Sequence, residues 1–131
     1  IVTNQSGIGR GYYDWTAFEA VQTRLYELLQ AANAWVDAAY ACPHPPPEAG
    51  GPRDSIYRKP APGMFLRAGD DLELDLGDSR VAGDTAADLA AGKAAGLRAG
   101  ILVKTGYGAR DSEQVRALAD DGFSVTWADW A

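Results

Sequence analysis

Five short apolar runs, at residues 1–3, 36–42, 79–82, 100–103 and 123–127, are separated by stretches with the three-and-four spacing of helices. The order is strand, helix, strand, long loop, helix, strand, helix, strand, helix, strand. Such alternation predicts an α/β domain with a mostly parallel sheet and right-handed crossovers, because parallel neighbours cannot be joined by a tight turn. In the first helix Phe18, Val21, Leu25, Leu28 and Ala32 form one apolar stripe, with Asp14 placed to cap it. A second helix is expected over 63–74, with Met64, Phe65, Ala68 and Leu72 inward. An Ala-rich helix follows over 86–97, where Gly92 and Gly96 suit close packing on the sheet. The last helix is expected from Asp111, as its cap, to about residue 119. Trp127 and Trp130 are expected to pack the final strand. The 131 residues suffice for one domain with one core, so residues 1–131 are read as a single domain.

Charge narrows the function classes. A net charge of −6 excludes a nucleic-acid partner, which needs a basic face. It does not exclude a small phosphorylated substrate, which needs only one or two local cations and a metal. No run reaches the roughly 18 apolar residues of a membrane span, so no membrane partner is expected. The single cysteine, Cys42, cannot form an intramolecular disulfide and fits a reducing, cytoplasmic compartment. No basic start with a following apolar run marks a signal peptide. The chain opens at Ile1 inside a β-type run, which reads as a fragment or a processed chain.

All seven prolines fall within residues 43–62, three of them as Pro45-Pro46-Pro47. Proline removes backbone donors and restricts φ, so this is a loop with stiff, extended portions. It is too long for a plain connector and is expected to be functional.

In an open α/β sheet, ligands bind beyond the carboxyl ends of the strands. The polar residues there are Thr3 and Asn4, Cys42 and His44, Asp84 and Asp88, and Lys104 and Thr105, with Arg58 and Lys59 ending the long loop. This set suits phosphate handling. Thr3 offers a hydroxyl donor, and the amides of residues 4–7 are placed to point at an anion. Arg58 and Lys59 supply fixed positive charge, and Asp84 a hard oxygen ligand for magnesium. Each has a plainer alternative: a strand-end turn for Thr3, a solvated face for Arg58-Lys59, a helix cap for Gly83-Asp84. Tyr12 and Tyr13 either shape a pocket mouth or simply pack.

The wording of these segments is more specific. Val2-Thr3-Asn4-Gln5-Ser6-Gly7-Ile8-Gly9-Arg10-Gly11-Tyr12 resembles the second motif of the D-glycero-D-manno-heptose-1,7-bisphosphate phosphatases, haloacid dehalogenase (HAD) enzymes close to the histidinol-phosphate phosphatases. Arg58-Lys59-Pro60-Ala61-Pro62-Gly63-Met64 resembles their third motif and Gly83-Asp84-Thr85-Ala86-Ala87-Asp88 their fourth. Lys104-Thr105-Gly106-Tyr107-Gly108 is similar to their next strand end. The resemblance implies a Rossmann-like three-layer fold and a phospho-aspartate intermediate. One carboxylate attacks phosphorus; a second protonates the leaving alcohol and then activates water. It implies that Thr3 hydrogen-bonds the transferring phosphoryl group, that Asn4, Gln5 and Ser6 line the substrate pocket, and that Arg58 and Lys59 bind substrate. Lys59 also stabilises phosphoryl charge, and Asp84 ligates magnesium.

Three departures qualify this. The family's Asp-x-Asp strand, which carries both catalytic carboxylates, has no counterpart here, so the chain alone is expected not to turn over and its sheet to lack the first strand and motif. The family often holds its long loop with zinc through Cys-x-His and Cys-x-Cys pairs. Here Cys42-Pro43-His44 remains, while Ser55-Ile56-Tyr57 replaces the second pair. Four ligands make a structural zinc site, so no structural zinc is expected and Cys42 and His44 are remnants. Thr85 stands where heptose enzymes commonly carry a basic, substrate-touching residue. The sequence leaves open a heptose 1,7-bisphosphate phosphatase, a phosphatase for histidinol phosphate or another small phosphomonoester, and a non-catalytic phosphate-binding or degenerate domain.

Overall fold

The computed structural model describes residues 1–129. They fall into two compact units, residues 1–55 and the segment from Ile56 onward.

The first unit contains strand β1 (Val2–Asn4), a single helical turn α1 (Ser6–Gly9), helix α2 (Trp15–Ala31) and strand β2 (Tyr40–Cys42). β1 and β2 pair in parallel, with Val2, Thr3 and Asn4 opposite Tyr40, Ala41 and Cys42. The ladder continues one residue further, where the Gln5 amide donates to the Cys42 carbonyl at 2.7 Å. β2 is shorter than the expected 36–42. Asp14 caps α2 as expected, its carboxylate accepting from the Ala17 amide at 2.9 Å. The inward stripe differs from the expected one. Phe18, Gln22, Leu25 and Leu29 are half-buried, whereas Val21 and Leu28 are 64% and 53% exposed. Cys42 is the one fully buried residue of this unit.

The second unit contains helix α3 (Gly63–Leu72), strand β3 (Arg80–Gly83), helix α4 (Ala86–Ala94), strand β4 (Ala99–Val103), helix α5 (Gly108–Arg116) and strand β5 (Ser124–Ala128). Its three strands form a parallel sheet with β4 in the middle. Every strand pairing in both sheets is thus parallel, the α/β arrangement that the alternation predicts. Leu89 of α4, Leu102 of β4 and Val115 of α5 are completely buried beside Val81 and Phe123. Met64 and Phe65 of α3 are buried as expected, but Leu72, at the helix end, is exposed. There Glu73 takes a left-handed conformation (φ 52°) that stops the helix.

Helix α4 ends three residues before the expected 97. Gly96 sits at φ 86°, its amide donates to Lys93 O, and the Leu97 amide donates to Gly92 O. This is a Schellman stop. Gly96 therefore terminates the helix and does not pack it. Gly92 does pack: a Cβ there would lie 2.5 Å from Val81 Cγ1. Asp111 is also reassigned. It lies within α5, which starts at Gly108, so it cannot cap that helix. Its carboxylate instead accepts from the Ala86 amide at the start of α4, at 2.9 Å. Trp127 lies on β5, its indole N–H donating to Ser112 Oγ with the Arg116 guanidinium over the ring; Trp130 lies outside the described residues. Among the described residues no helix is long and apolar enough to cross a membrane.

Candidate phosphoryl and metal site

In the second unit three sequence-predicted residues meet at the end of β3. The strand stops at Gly83, and Thr85 caps α4 in a closed box with Asp88. The Asp88 amide donates to Thr85 Oγ1 at 3.3 Å, and Asp88 Oδ2 accepts from the Thr85 amide at 3.0 Å and from its hydroxyl at 2.7 Å. The Thr85 proton is thereby committed to Asp88. The other carboxylate oxygen, Oδ1, lies 2.6 Å from Lys59 Nζ. Both side chains of this ion pair are nearly withdrawn from water, so Lys59 does not belong to a solvated face. Arg58 beside it is half-buried, and the Lys59–Pro60 bond is cis. Gly83 is required here, because a Cβ would fall 2.5 Å from Asp88 Cβ.

Asp84 follows directly. Its Oδ2 accepts from the Tyr107 amide at 3.3 Å, in the loop after β4. Gly106, at φ 59°, lets that loop close on the carboxylate; a side chain there would collide with Asp84 Oδ2. One long backbone hydrogen bond leaves most of the acceptor capacity of a half-buried carboxylate for a cation, so Asp84 fits magnesium, which favours hard oxygens. Among the described residues no group of three or more His, Cys, Asp or Glu side chains is placed to hold a metal. Sequence reasoning gave Asp111 to the wrong helix; it ties the start of α4 to α5. The Ala86 amide, and then the Arg110 guanidinium, hold its carboxyl below the usual carboxylate range. The signal was an acidic residue beside a basic one; nothing in it pointed to another helix.

In the first unit Thr3, Asn4 and Gln5 stand at the end of β1, all half-buried, with Ser6 opening α1. The Gln5 amide is engaged by Cys42, so it does not face an anion as the sequence suggested for residues 4–7. The Gln5 side chain donates to Thr3 Oγ1 at 2.9 Å and accepts from Tyr13 Oη at 2.6 Å. His44 Nδ1 lies 2.7 Å from Ser55 Oγ, and Cys42 Sγ lies 3.9 Å from the same hydroxyl. Cys42, His44 and Ser55 therefore cluster around a hydroxyl.

These motifs have counterparts in known proteins. Residues 56–123 match the model of the HAD-hydrolase-like family. The D-glycero-beta-D-manno-heptose-1,7-bisphosphate 7-phosphatase of Mesorhizobium japonicum is 47% identical over 124 residues, covering 92% of this chain and 56% of that protein. The enzyme of the same name from Pseudomonas aeruginosa is 41% identical over 111 residues, covering 84% and 58%. The chain thus spans a little over half the length of these curated relatives. Among solved structures, the D,D-heptose 1,7-bisphosphate phosphatase from B. bronchiseptica complexed with magnesium and phosphate superposes with a TM-score of 0.79 at 34% identity, covering 95% of this chain and 65% of that one. The parallel α/β fold, the motifs on its strand ends and the match over residues 56–123 agree: the chain belongs to the HAD-hydrolase-like family.

Proposed function

We propose that the protein is a magnesium-dependent phosphatase that removes phosphate from a phosphorylated sugar, with heptose 1,7-bisphosphate as its substrate. The observation that carries this reading is the Lys59–Asp88 pair, held next to Asp84 by one capped helix start. A phosphoryl group loading negative charge in its transition state needs a cation whose position is set beforehand. Asp88 sets it for Lys59.

In this reading Thr3 donates to the transferring phosphoryl group. Asn4, Gln5, Ser6, Arg58 and Thr85 border the substrate, Thr85 by shape because its hydroxyl serves Asp88. Asp84 would hold magnesium, which when bound neutralises phosphoryl charge. The attacking carboxylate forms a phospho-aspartate as the sugar alcohol leaves with a proton, and water then releases phosphate and restores the carboxylate. No Asp-x-Asp occurs in these 131 residues, so the nucleophile is assigned to a segment outside them. Residues 1–131 serve one catalytic domain, cytoplasmic in location, with loop 43–62 shaping specificity. Cys42 and His44 hold that loop without zinc, through Ser55.

The test is phosphate release from heptose 1,7-bisphosphate and from histidinol phosphate, with magnesium, by this chain with and without a fused Asp-x-Asp segment. Activity on the heptose only in the folded fusion supports the reading. Preference for histidinol phosphate moves the substrate assignment. Activity in the bare chain refutes the external nucleophile, and silence in both forms favours a phosphate-binding role.

A further inference from the structure

The hydrogen bonds that reach Thr3 run in one direction. Tyr13 Oη donates to Gln5 Oε1 at 2.6 Å, and Gln5 Nε2 donates to Thr3 Oγ1 at 2.9 Å. A primary amide has one acceptor end and one donor end. With Tyr13 holding the oxygen, the donor end faces Thr3. The Thr3 oxygen accepts there, so its own proton points away from Gln5. Were the amide reversed, Thr3 would donate to Oε1 and have no proton left for a ligand.

The surroundings support this arrangement. The Gln5 main chain is fixed by its bond to Cys42 O, so its side chain starts from a set position. The edge of the Tyr13 ring lies against Gly7, where a side chain would collide with Cε1. Tyr13 is 38% exposed and could satisfy its hydroxyl with water, yet it reaches back to Gln5.

We propose that Tyr13 is a positioning residue for the phosphatase reaction: through the Gln5 amide it orients the Thr3 hydroxyl so that the proton goes to the transferring phosphoryl group. The proposal rests on Thr3 being that donor. Tyr13 touches no reacting atom; a phenol donates more strongly than it accepts, so its 2.6 Å bond to Gln5 Oε1 favours the amide orientation that leaves Thr3 its proton.

The experiment is a double-mutant cycle in the full-length protein, with magnesium and heptose 1,7-bisphosphate. Tyr13→Phe keeps the ring and removes the donor. It is expected to lower kcat about fivefold, the scale of one neutral hydrogen bond, with KM little changed. Thr3→Val should lower kcat further, and adding Tyr13→Phe to it should change nothing more. Gln5→Leu breaks both links and serves in place of Tyr13→Phe if that variant unfolds. Full additivity of the two losses, or an unchanged kcat in Tyr13→Phe beside a lowered one in Thr3→Val, overturns the relay and leaves Thr3 its role. An unchanged kcat in Thr3→Val overturns both. If the wild type does not turn over this substrate, calorimetric titration with inorganic phosphate makes the same comparison without catalysis: non-additive weakening supports the relay and additive or absent weakening refutes it.

Discussion

Lys59 Nζ lies 2.6 Å from Asp88 Oδ1, with the two side chains only 10% and 12% exposed. The same carboxylate closes the cap of α4 through its other oxygen. One residue therefore starts a helix and fixes a cation. Neither group would sit there alone, because a charge withdrawn from water needs a partner. The arrangement also sets Asp84, four residues before Asp88, at the mouth of the same turn.

Breaking this pair should cost more than replacing it. Lys59→Met leaves an uncompensated carboxylate and is expected to lower stability by about 3 kcal/mol. The double variant Lys59→Met/Asp88→Asn has no unpaired charge and should recover a large part of the loss. Urea denaturation of the wild type, Lys59→Met, Asp88→Asn and the double variant measures this. Losses that simply add would mean that the two groups are not coupled.

Gly106→Ala separates a positional requirement from backbone strain. A side chain at φ 59° costs about 1–2 kcal/mol for the left-handed backbone. It would also collide with Asp84 Oδ2, so magnesium affinity should fall as well. Gly50→Ala is the control. Gly50 is at φ 85°, with nothing within 4 Å of a new Cβ, so only stability should drop. Calorimetric magnesium titration and thermal unfolding read the two effects; equal magnesium affinity in both variants would refute the Asp84 assignment.

Two carboxylates make stability depend on acid. The Ala86 amide and Arg110 lower the Asp111 pKa, and Lys93 with the Gly122 and Phe123 amides lowers that of Asp120, both from an ordinary value of 3.8. A carboxyl with a lowered folded pKa stabilises fully above its unfolded value and loses that contribution as pH falls through the folded one. Stability should therefore be level near neutrality and decline below about pH 4. In Asp111→Asn the decline should be shallower, because one titrating group is gone. Denaturant midpoints from about pH 6 to about pH 2.5 would check this.

The loop that Cys42 and His44 open gives a gain-of-binding test. Ser55 Oγ sits 2.7 Å from His44 Nδ1 and 3.9 Å from Cys42 Sγ. Ser55→Cys adds a thiolate where two nitrogen and sulfur ligands already converge, so zinc affinity measured against a chromophoric chelator should rise at least tenfold, the scale of one added ligand. No change would mean that Cys42 and His44 no longer face a common point.

The elements themselves were legible in the sequence, since short apolar runs and capped helical stripes are local signals. Their faces were less so. In α2 the expected stripe 18, 21, 25, 28, 32 and the observed line 18, 22, 25, 29 differ by about one residue in rotation, and both contain apolar side chains. Gln22 lies on the observed line, which a hydrophobicity pattern passes over. Asp111 misled for a related reason: an acidic residue near a helix start looks the same whether it caps its own helix or another.

By itself the sequence determined the order of the five strands and the four longer helices, the parallel pairing that follows from it, and the residues that stand at the strand ends; the single turn α1 was not among them. These depend on periodicity and on backbone chemistry within a few residues. The tertiary structure alone decided that Lys59 pairs with Asp88, that Asp111 caps α4, and that Tyr13 reaches Thr3 through Gln5. These contacts join groups 29, 25 and 10 residues apart by sequence number, and only the packing of separate elements brings such groups within hydrogen-bonding distance.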